Sequence, residues 1–457
     1  MTLIFNKGVI KVRLKIYDRE IEIDGCKTYK IPEDIQCIIR NGFGLIISPN
    51  NGNWIVMKTQ NQMNIFIDLK NQMSIGEICE KYIDTKKDIE YVILQLEGKH
   101  FCDRIIFDDD NSFILRIYLT NNCNLRCSHC FMYADNKLEN ELSLDEIKQL
   151  LSLCSENGCH KVIYTGGEVG TRKDFIDILR HSKSLGLEVQ VLTNGTVWNE
   201  DEINKLSNYI DNVQISIDGF DEESNSKIRG KGAFVKAMNA IDCFVKTNTS
   251  VAISITPTYE LLETFRDKYI AFGKSLAEKY SDFDFIVIFG KELMDGRHIK
   301  SDNKKNIRMS STVDYIMNEI YPNNELTTFI KYHEYNKIYN NCGFGALNIN
   351  SNGDIYFCGR VNYVKKYDNI RNVDINAVLE LRKKVRVSSR IDNLKPCKNC
   401  MLKYICGGEC RVSFFKEITT CDVNNIDYSL IPARICSDKK KEKLYDLMIQ
   451  SNDYLLW

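Results

Sequence analysis

No stretch of this chain stays apolar for the ~18 residues that a membrane-spanning helix requires, which argues against a membrane span. Charge of one sign is missing too: 61 Lys and Arg stand against 62 Asp and Glu, a formal net charge of −1. No global field would therefore draw the protein to nucleic acid. The N-terminus, MTLIFNKGVIKVRLKIYDREIEIDG, alternates apolar and charged residues as a strand does and lacks the apolar core of a signal peptide. A cytoplasmic location is expected on that ground. Internal repeats and low-complexity tracts are absent, and histidine is scarce, with six in the chain. His100, His160, His181, His298 and His333 are scattered, and none marks a conventional general base.

Cysteine, by contrast, is abundant, with eighteen in 457 residues. Without an export signal these read as metal-type spacings rather than a disulfide framework. Seven (Cys26, Cys37, Cys79, Cys102, Cys154, Cys159 and Cys243) stand singly in apolar or helical surroundings, as buried structural thiols do. The other eleven fall into two groups, one near residue 125 and one after residue 340.

The length allows two or three domains. From Phe113 to Phe289, β-branched runs alternate with amphipathic stretches. Strands are expected at Phe113–Thr120, Lys161–Thr165, Glu188–Thr193, Val213–Ile217, Val251–Thr256 and Asp284–Phe289. Ser143 and Glu146 have capping-box spacing at the start of one intervening helix. Six strands with helix-length crossovers describe parallel α/β, either an incomplete barrel or an open sheet. In such folds catalytic groups gather at the C-terminal ends of the strands. Residues 1–108 read as a small α+β unit. Its short strands are expected at Gly44–Ser48, Trp54–Lys58 and Asn64–Asp68, and its helices near Ser74–Tyr82 and Asp88–Leu96. After about residue 320 the periodicity fades and cysteines dominate, as in a segment ordered by metal.

The first cysteine group, Cys123, Cys127 and Cys130 in LTNNCNLRCSHC, follows the first of the six strands. Three thiolates at this spacing can wrap three corners of an iron–sulfur cubane and leave one iron open. Zinc is the alternative, with His129 badly placed as a fourth ligand. After the second strand come Gly166, Gly167 and Glu168, with glycines that bring backbone close to a ligand and a carboxylate suited to an ammonium group. Thr193 and Asn194 follow the third strand, and Ser216 and Asp218 the fourth. Each is a turn by itself; together they occupy successive strand tips.

CxxxCxxC on the first strand loop followed by GGE after the second resembles the radical S-adenosylmethionine (SAM) superfamily, over roughly Phe113 to Phe289. The resemblance implies a partial (β/α)6 TIM-like barrel at 109–320. It implies a [4Fe–4S] cluster on Cys123, Cys127 and Cys130 whose open iron chelates SAM. Gly166, Gly167 and Glu168 would then contact the methionine amino group, Ser216 and Asp218 the ribose, and Arg229 the methionine carboxylate. Thr193 and Asn194 would complete the SAM site. Val169 and His129 depart from the family's usual residues at their positions.

The second group runs Cys397-x2-Cys400-x5-Cys406-x3-Cys410, preceded by Cys342 and Cys358. By itself a zinc site with four cysteine ligands would explain it as well. Beside the first group it resembles a SPASM domain, at 321–457, which implies two auxiliary [4Fe–4S] clusters and three in all. By that resemblance Cys342, Cys358 and Cys410 would hold one, whose fourth iron would be open or taken by Cys421. Cys397, Cys400, Cys406 and a late cysteine would hold the other, the late one being Cys436 or, as contender, Cys421. Residues 1–108 resemble the winged-helix-like recognition element of peptide-modifying relatives, with a structural cap as the other reading.

The resemblance points to a maturase of ribosomally made peptides. It would abstract hydrogen from a precursor with a 5′-deoxyadenosyl radical and join a Cys sulfur to carbon. The leader peptide would bind the N-terminal unit, and flavodoxin or ferredoxin would supply electrons. Carbon–carbon crosslinking, epimerisation and formylglycine formation share the same start. An iron–sulfur electron carrier or peptide-binding scaffold is the non-catalytic alternative.

Overall fold

The structure, a computed structural model, describes residues 2–6, 9–16, 19–103, 113–333, 338–395, 397–408, 410–414 and 436–455. The chain opens with an antiparallel meander of β1 (Thr2–Asn6), β2 (Val9–Ile16) and β3 (Arg19–Asp24). A second antiparallel sheet follows, formed by β4 (Gln36–Arg40), β5 (Phe43–Ser48) and β6 (Asn53–Met57). Helices α1 (Gln60–Lys70), α2 (Ile75–Lys81) and α3 (Lys86–Gly98) complete this region. Ser74 caps α2 in a capping box with Glu77, as its spacing foretells.

The strand expected at Asn64–Asp68 is instead the middle of α1. Thr59 caps that helix by accepting from the Gln62 N–H. Ile65, Phe66 and Leu69 then fall on one buried face, while Ile67 is left outside. Alternation in five residues is too short to decide between the two periods, and the cap decides it.

The main sheet carries six parallel strands: β7 (Phe113–Tyr118), β8 (Cys159–Thr165), β9 (Glu188–Thr193), β10 (Asn212–Ser216), β11 (Ser250–Ile255) and β12 (Phe285–Phe289). Their crossovers include α4 (Leu144–Glu156), α5 (Phe175–Ser184), α6 (Glu200–Leu206), α7 (Glu222–Arg229), α8 (Ala233–Phe244) and α9 (Tyr259–Lys279). Neighbours pair in sequence order, giving the parallel α/β architecture read from the pattern.

Two helices, α10 (Asn303–Ile320) and α11 (Asn324–His333), lead into the cysteine-rich segment. This segment is tied to the barrel. Strand β13 (Leu347–Ile349) pairs parallel with β7, Leu347 opposite Leu115, and β14 (Ile355–Tyr356) closes a hairpin on it. The amphipathic α12 (Ile375–Ser388) and the short α13 (Lys403–Cys406) and α14 (Arg411–Phe414) follow, then α15 (Asp438–Ser451). Among the described residues no helix is long and apolar enough to cross a membrane.

Strand β5 is apolar on both faces because both are covered. Ile46 packs toward α1–α3, while Leu45 and Ile47 join Trp54, Tyr445 and Met448 in a core shared with α15. Around that seam the Arg40 guanidinium donates to both Asp446 oxygens, at 2.5 and 2.7 Å, and the Trp54 indole N–H donates to the Met448 carbonyl at 3.3 Å.

A second seam joins α4 to the cysteine-rich segment through Glu146, which also completes the α4 capping box. The Arg371 guanidinium donates to both Glu146 oxygens, at 2.6 and 3.1 Å. Arg371, opposed by burial and helped by Ser143, holds the Glu146 carboxyl down at about 2, against an ordinary 4.5. A depressed carboxyl contributes stability above its unfolded value and loses it as the pH falls through the folded one. The pair is partly exposed, so screening limits its worth. Glu146→Gln should lower the unfolding free energy by about 1 kcal/mol at neutral pH. In urea denaturation the two proteins should converge as the pH falls from 4.5 toward 2.

Candidate functional site

The C-terminal tips of the parallel strands converge on a cavity of about 330 Å³. Cys123, Cys127 and Cys130 line one wall. Their loop is pinned at its base, where the Cys123 N–H donates to the Asp135 carbonyl at 2.9 Å and the Asp135 N–H to Asn121 at 3.0 Å. The Cys130 N–H turns back onto the Cys127 carbonyl at 3.3 Å, and the Leu125 N–H points at the Cys123 sulfur at 3.5 Å. Gly166, Gly167, Thr193, Asn194 and Ser216 bring the tips of β8, β9 and β10 to the same cavity, and Arg229 enters it from α7. Those sequence-derived positions are therefore brought together.

The two carboxylates are not in the cavity wall. Glu168 is buried beneath it, accepting from the Thr193 hydroxyl at 2.7 Å, the Asn194 N–H at 2.7 Å and the Gly170 N–H at 3.1 Å. Burial pushes its carboxyl up, against those hydrogen bonds. Its side chain ties β8 to β9, with both oxygens already accepting hydrogen bonds. Asp218 is likewise fully buried, accepting from the Thr256 N–H at 2.9 Å and facing Arg229 Nε at 2.6 Å and His129 Nε2 at 2.9 Å. It does not line the cavity. Burial alone would raise its carboxyl, but Arg229 and His129 outweigh that and hold it well below the usual carboxylate range. Arg229 thus faces Asp218 with its Nε, while its Nη1 lies 3.9 Å from the Cys127 sulfur.

The glycines also serve a purpose the motif alone does not reveal. Gly166 has a φ of +140°, and a Cβ there would meet the Thr120 carbonyl oxygen at 2.5 Å. A Cβ on Gly167 would meet the Asn122 carbonyl oxygen at 2.2 Å. The N–H groups of Gly167 and Glu168 fasten this turn to the start of the cysteine loop, Gly167 to the Thr120 carbonyl at 2.7 Å and Glu168 to the Asn122 carbonyl at 2.8 Å.

Sequence reasoning passed over three contributors. His129 lines the cavity and grips Asp218; its place between two candidate ligands was a signal of it. Thr256 and Glu292, beyond the ends of β11 and β12, also reach the cavity, as the strand-tip rule applied to the last two strands would indicate.

The later cysteines assemble as two groups. Cys410 lies beside Cys342 and within electrostatic reach of Cys358. Cys397 is surrounded by Cys406, Cys400 and Cys436. Arg411, fully buried, lies against both groups, within reach of Cys342, Cys397 and Cys410. Cys421 lies outside the described residues.

Burial pushes the Cys123, Cys358 and Cys397 thiols each up to about 11, so metal loading must expel their protons. Among the described residues no three His, Cys, Asp or Glu side chains converge tightly enough for a single ion. Cluster ligands need not do so, because each thiolate binds a different iron. The donor set of three thiols around an open cavity suits a cluster with one free iron.

Residues 117–267 match the Radical SAM superfamily. The chain carries a radical SAM domain. It is 34% identical over 142 residues to the sporulation killing factor maturation protein SkfB of Bacillus subtilis (strain 168), covering 31% of this chain and 34% of that protein. It is 26% identical over 315 residues to an AdoMet-dependent heme synthase of Methanosarcina barkeri (strain Fusaro / DSM 804), covering 64% of this chain and 89% of that protein. The matches to the first curated relatives span 34–45% of their lengths. In fold, the solved structure of native anSMEcpe with bound AdoMet is similar, with a TM-score of 0.53 at 17% identity over 75% of this chain and 98% of that one.

Gly167→Ala tests the close approach at the radical SAM turn. The added Cβ would collide with backbone rather than a flexible side chain, so the turn must shift away from the cysteine loop. Iron bound per protein after anaerobic reconstitution should fall relative to the parent, with helical content by circular dichroism retained.

Proposed function

We propose that this protein is a radical SAM peptide maturase that joins a cysteine sulfur to a carbon of its own precursor peptide. The observation that carries the reading is the single cavity into which Cys123, Cys127, Cys130 and the glycine-rich tip of β8 open together. Those thiols would hold a [4Fe–4S] cluster. Cys342, Cys358 and Cys410 would hold a second, and Cys397, Cys400, Cys406 and Cys436 a third. When bound, the first cluster with SAM would supply one-electron cleavage of the sulfonium C–S bond and a 5′-deoxyadenosyl radical that takes hydrogen from carbon; closing the C–S bond would then release the thiol proton and one electron, for which an auxiliary cluster would be the acceptor.

The chain's own part is binding, orientation and exclusion of water. The exposed backbone of Gly166 and Gly167 suits the methionine amino group, and Ser216 the ribose. The Arg229 guanidinium, at the cavity edge, suits the methionine carboxylate. Leu125, Phe131, Met132, Leu293 and Met294 form an apolar flank that keeps water from the reacting carbon. The maturation role in the name of SkfB supports a peptide as substrate. So does β4, which among the described residues pairs only with β5 and holds Ile39 72% exposed, an edge on which a leader peptide could add as a strand. A flavodoxin or ferredoxin would deliver the electron.

Reconstituted protein given dithionite and SAM should form 5′-deoxyadenosine, and Cys123→Ala should abolish it. With a cysteine-containing precursor, mass spectrometry should show a product lighter by two hydrogens whose former thiol no longer alkylates. Formation of 5′-deoxyadenosine with an unchanged peptide mass would favour epimerisation. No 5′-deoxyadenosine at all would leave an electron carrier.

A further inference from the structure

Behind the cysteine loop lies a buried network of charge that reaches the cavity through Arg229. Asp218 is fully buried, and the Arg229 and His129 side chains that face it are nearly so. Arg229 Nε is 2.6 Å from Asp218 Oδ2 on one side, and Arg229 Nη1 is 3.9 Å from the Cys127 sulfur on the other. The loop cannot drift from this guanidinium. The Ser128 N–H donates to the carbonyl of Ile228, the residue before Arg229, at 2.9 Å, and His129 Nε2 lies 2.9 Å from the same Asp218 oxygen.

A buried ion pair is poor evidence of added stability, because desolvation offsets its attraction. It does act strongly on a neighbouring charge that changes, since little water screens it. Charge near the sulfurs is one of the main levers on an iron–sulfur potential. A cation beside Cys127 favours the state with the extra electron, and an anion behind that cation moderates the bias.

We propose that the Asp218–Arg229 pair sets the reduction potential of the cluster held by Cys123, Cys127 and Cys130, with Arg229 raising it and Asp218 lowering it. His129 is a positioning residue that fastens the loop against the pair. This rests on the radical SAM reading above and adds to it an electrostatic role for the pair that is separate from any contact Arg229 makes with SAM.

The test is a potentiometric titration of the reconstituted full-length protein. It follows the electron paramagnetic resonance signal that changes when SAM is added, which singles out the cluster with the open iron. Arg229→Gln should lower the potential and Asp218→Asn should raise it. Each shift should be about tenfold in the reduced-to-oxidised ratio at fixed potential, or about 59 mV for one electron. Arg229→Lys, which keeps the charge, should stay closer to the parent than Arg229→Gln does. A purely structural role predicts loss of iron without shifts of opposite sign. Unchanged potentials in iron-replete variants, or shifts of the same sign, overturn the proposal while leaving the parent reading intact. Absence of any SAM-responsive signal in the unaltered protein overturns both. Should Arg229→Gln fail to take up iron, Asp218→Asn decides alone, because the amide keeps the side chain's shape; an unchanged or lowered potential there overturns the proposal.

Discussion

Two buried carboxylates hold the crown of this barrel together. Glu168 ties the tip of β8 to that of β9, and Asp218 ties β10 to β11, to the cysteine loop and to the end of α7. A carboxylate out of water is costly unless its oxygens are satisfied, and both are met by donors that include groups on other elements. The partners differ in kind, and the difference decides how each behaves. Glu168 receives neutral donors, so burial prevails and its carboxyl is pushed up. Asp218 faces the Arg229 guanidinium and the His129 ring, so its carboxyl is held down. One tie is a hydrogen-bonded clasp and the other is an electrostatic hub.

That crown is continuous with the cysteine-rich segment. Strand β13 adds to β7, the strand that launches the Cys123 loop, and Cys358 comes two residues after the hairpin partner β14. Beyond it, the Arg360 N–H points at the Cys358 sulfur at 3.5 Å while the Arg360 side chain pairs with Glu292 in the cavity wall. The Asn362 amide also donates to the carbonyl of Phe131, next to Cys130. Two thiol sites far apart in sequence are therefore braced against one another by sheet pairing, an ion pair and a side-chain hydrogen bond. The β4–β6 sheet is held to α15 of this segment through Arg40 and Trp54.

Much of this was legible in the order of residues, because it rests on periodicity and spacing. The six parallel strands show as β-branched runs, and the capping boxes at Ser74 and Ser143 show as paired letters three apart. What was not legible depends on direction rather than identity. Glu168 and Asp218 stand at strand tips, but a tip residue can point into the cavity or beneath it. Only the neighbours Thr193, Thr256 and Arg229, brought near by the fold, settle which. The strand expected at Asn64–Asp68 failed for a local reason: the cap at Thr59 starts a helix whose buried face absorbs Ile65 and Phe66.

The motif that marks the domain is half scaffold. Gly166 and Gly167 read as glycines cleared for a ligand, yet the backbone they make room for is the chain's own, at Thr120 and Asn122. Both purposes have one geometric origin. A turn can present bare backbone to the cavity only by lying flat, and lying flat brings its other side against the first strand's loop. The same turn then donates two N–H groups to that loop and fixes where Cys123 emerges. The position of the first thiol and the position of the ligand-facing backbone are therefore one constraint, not two. A single side chain placed there would disturb both.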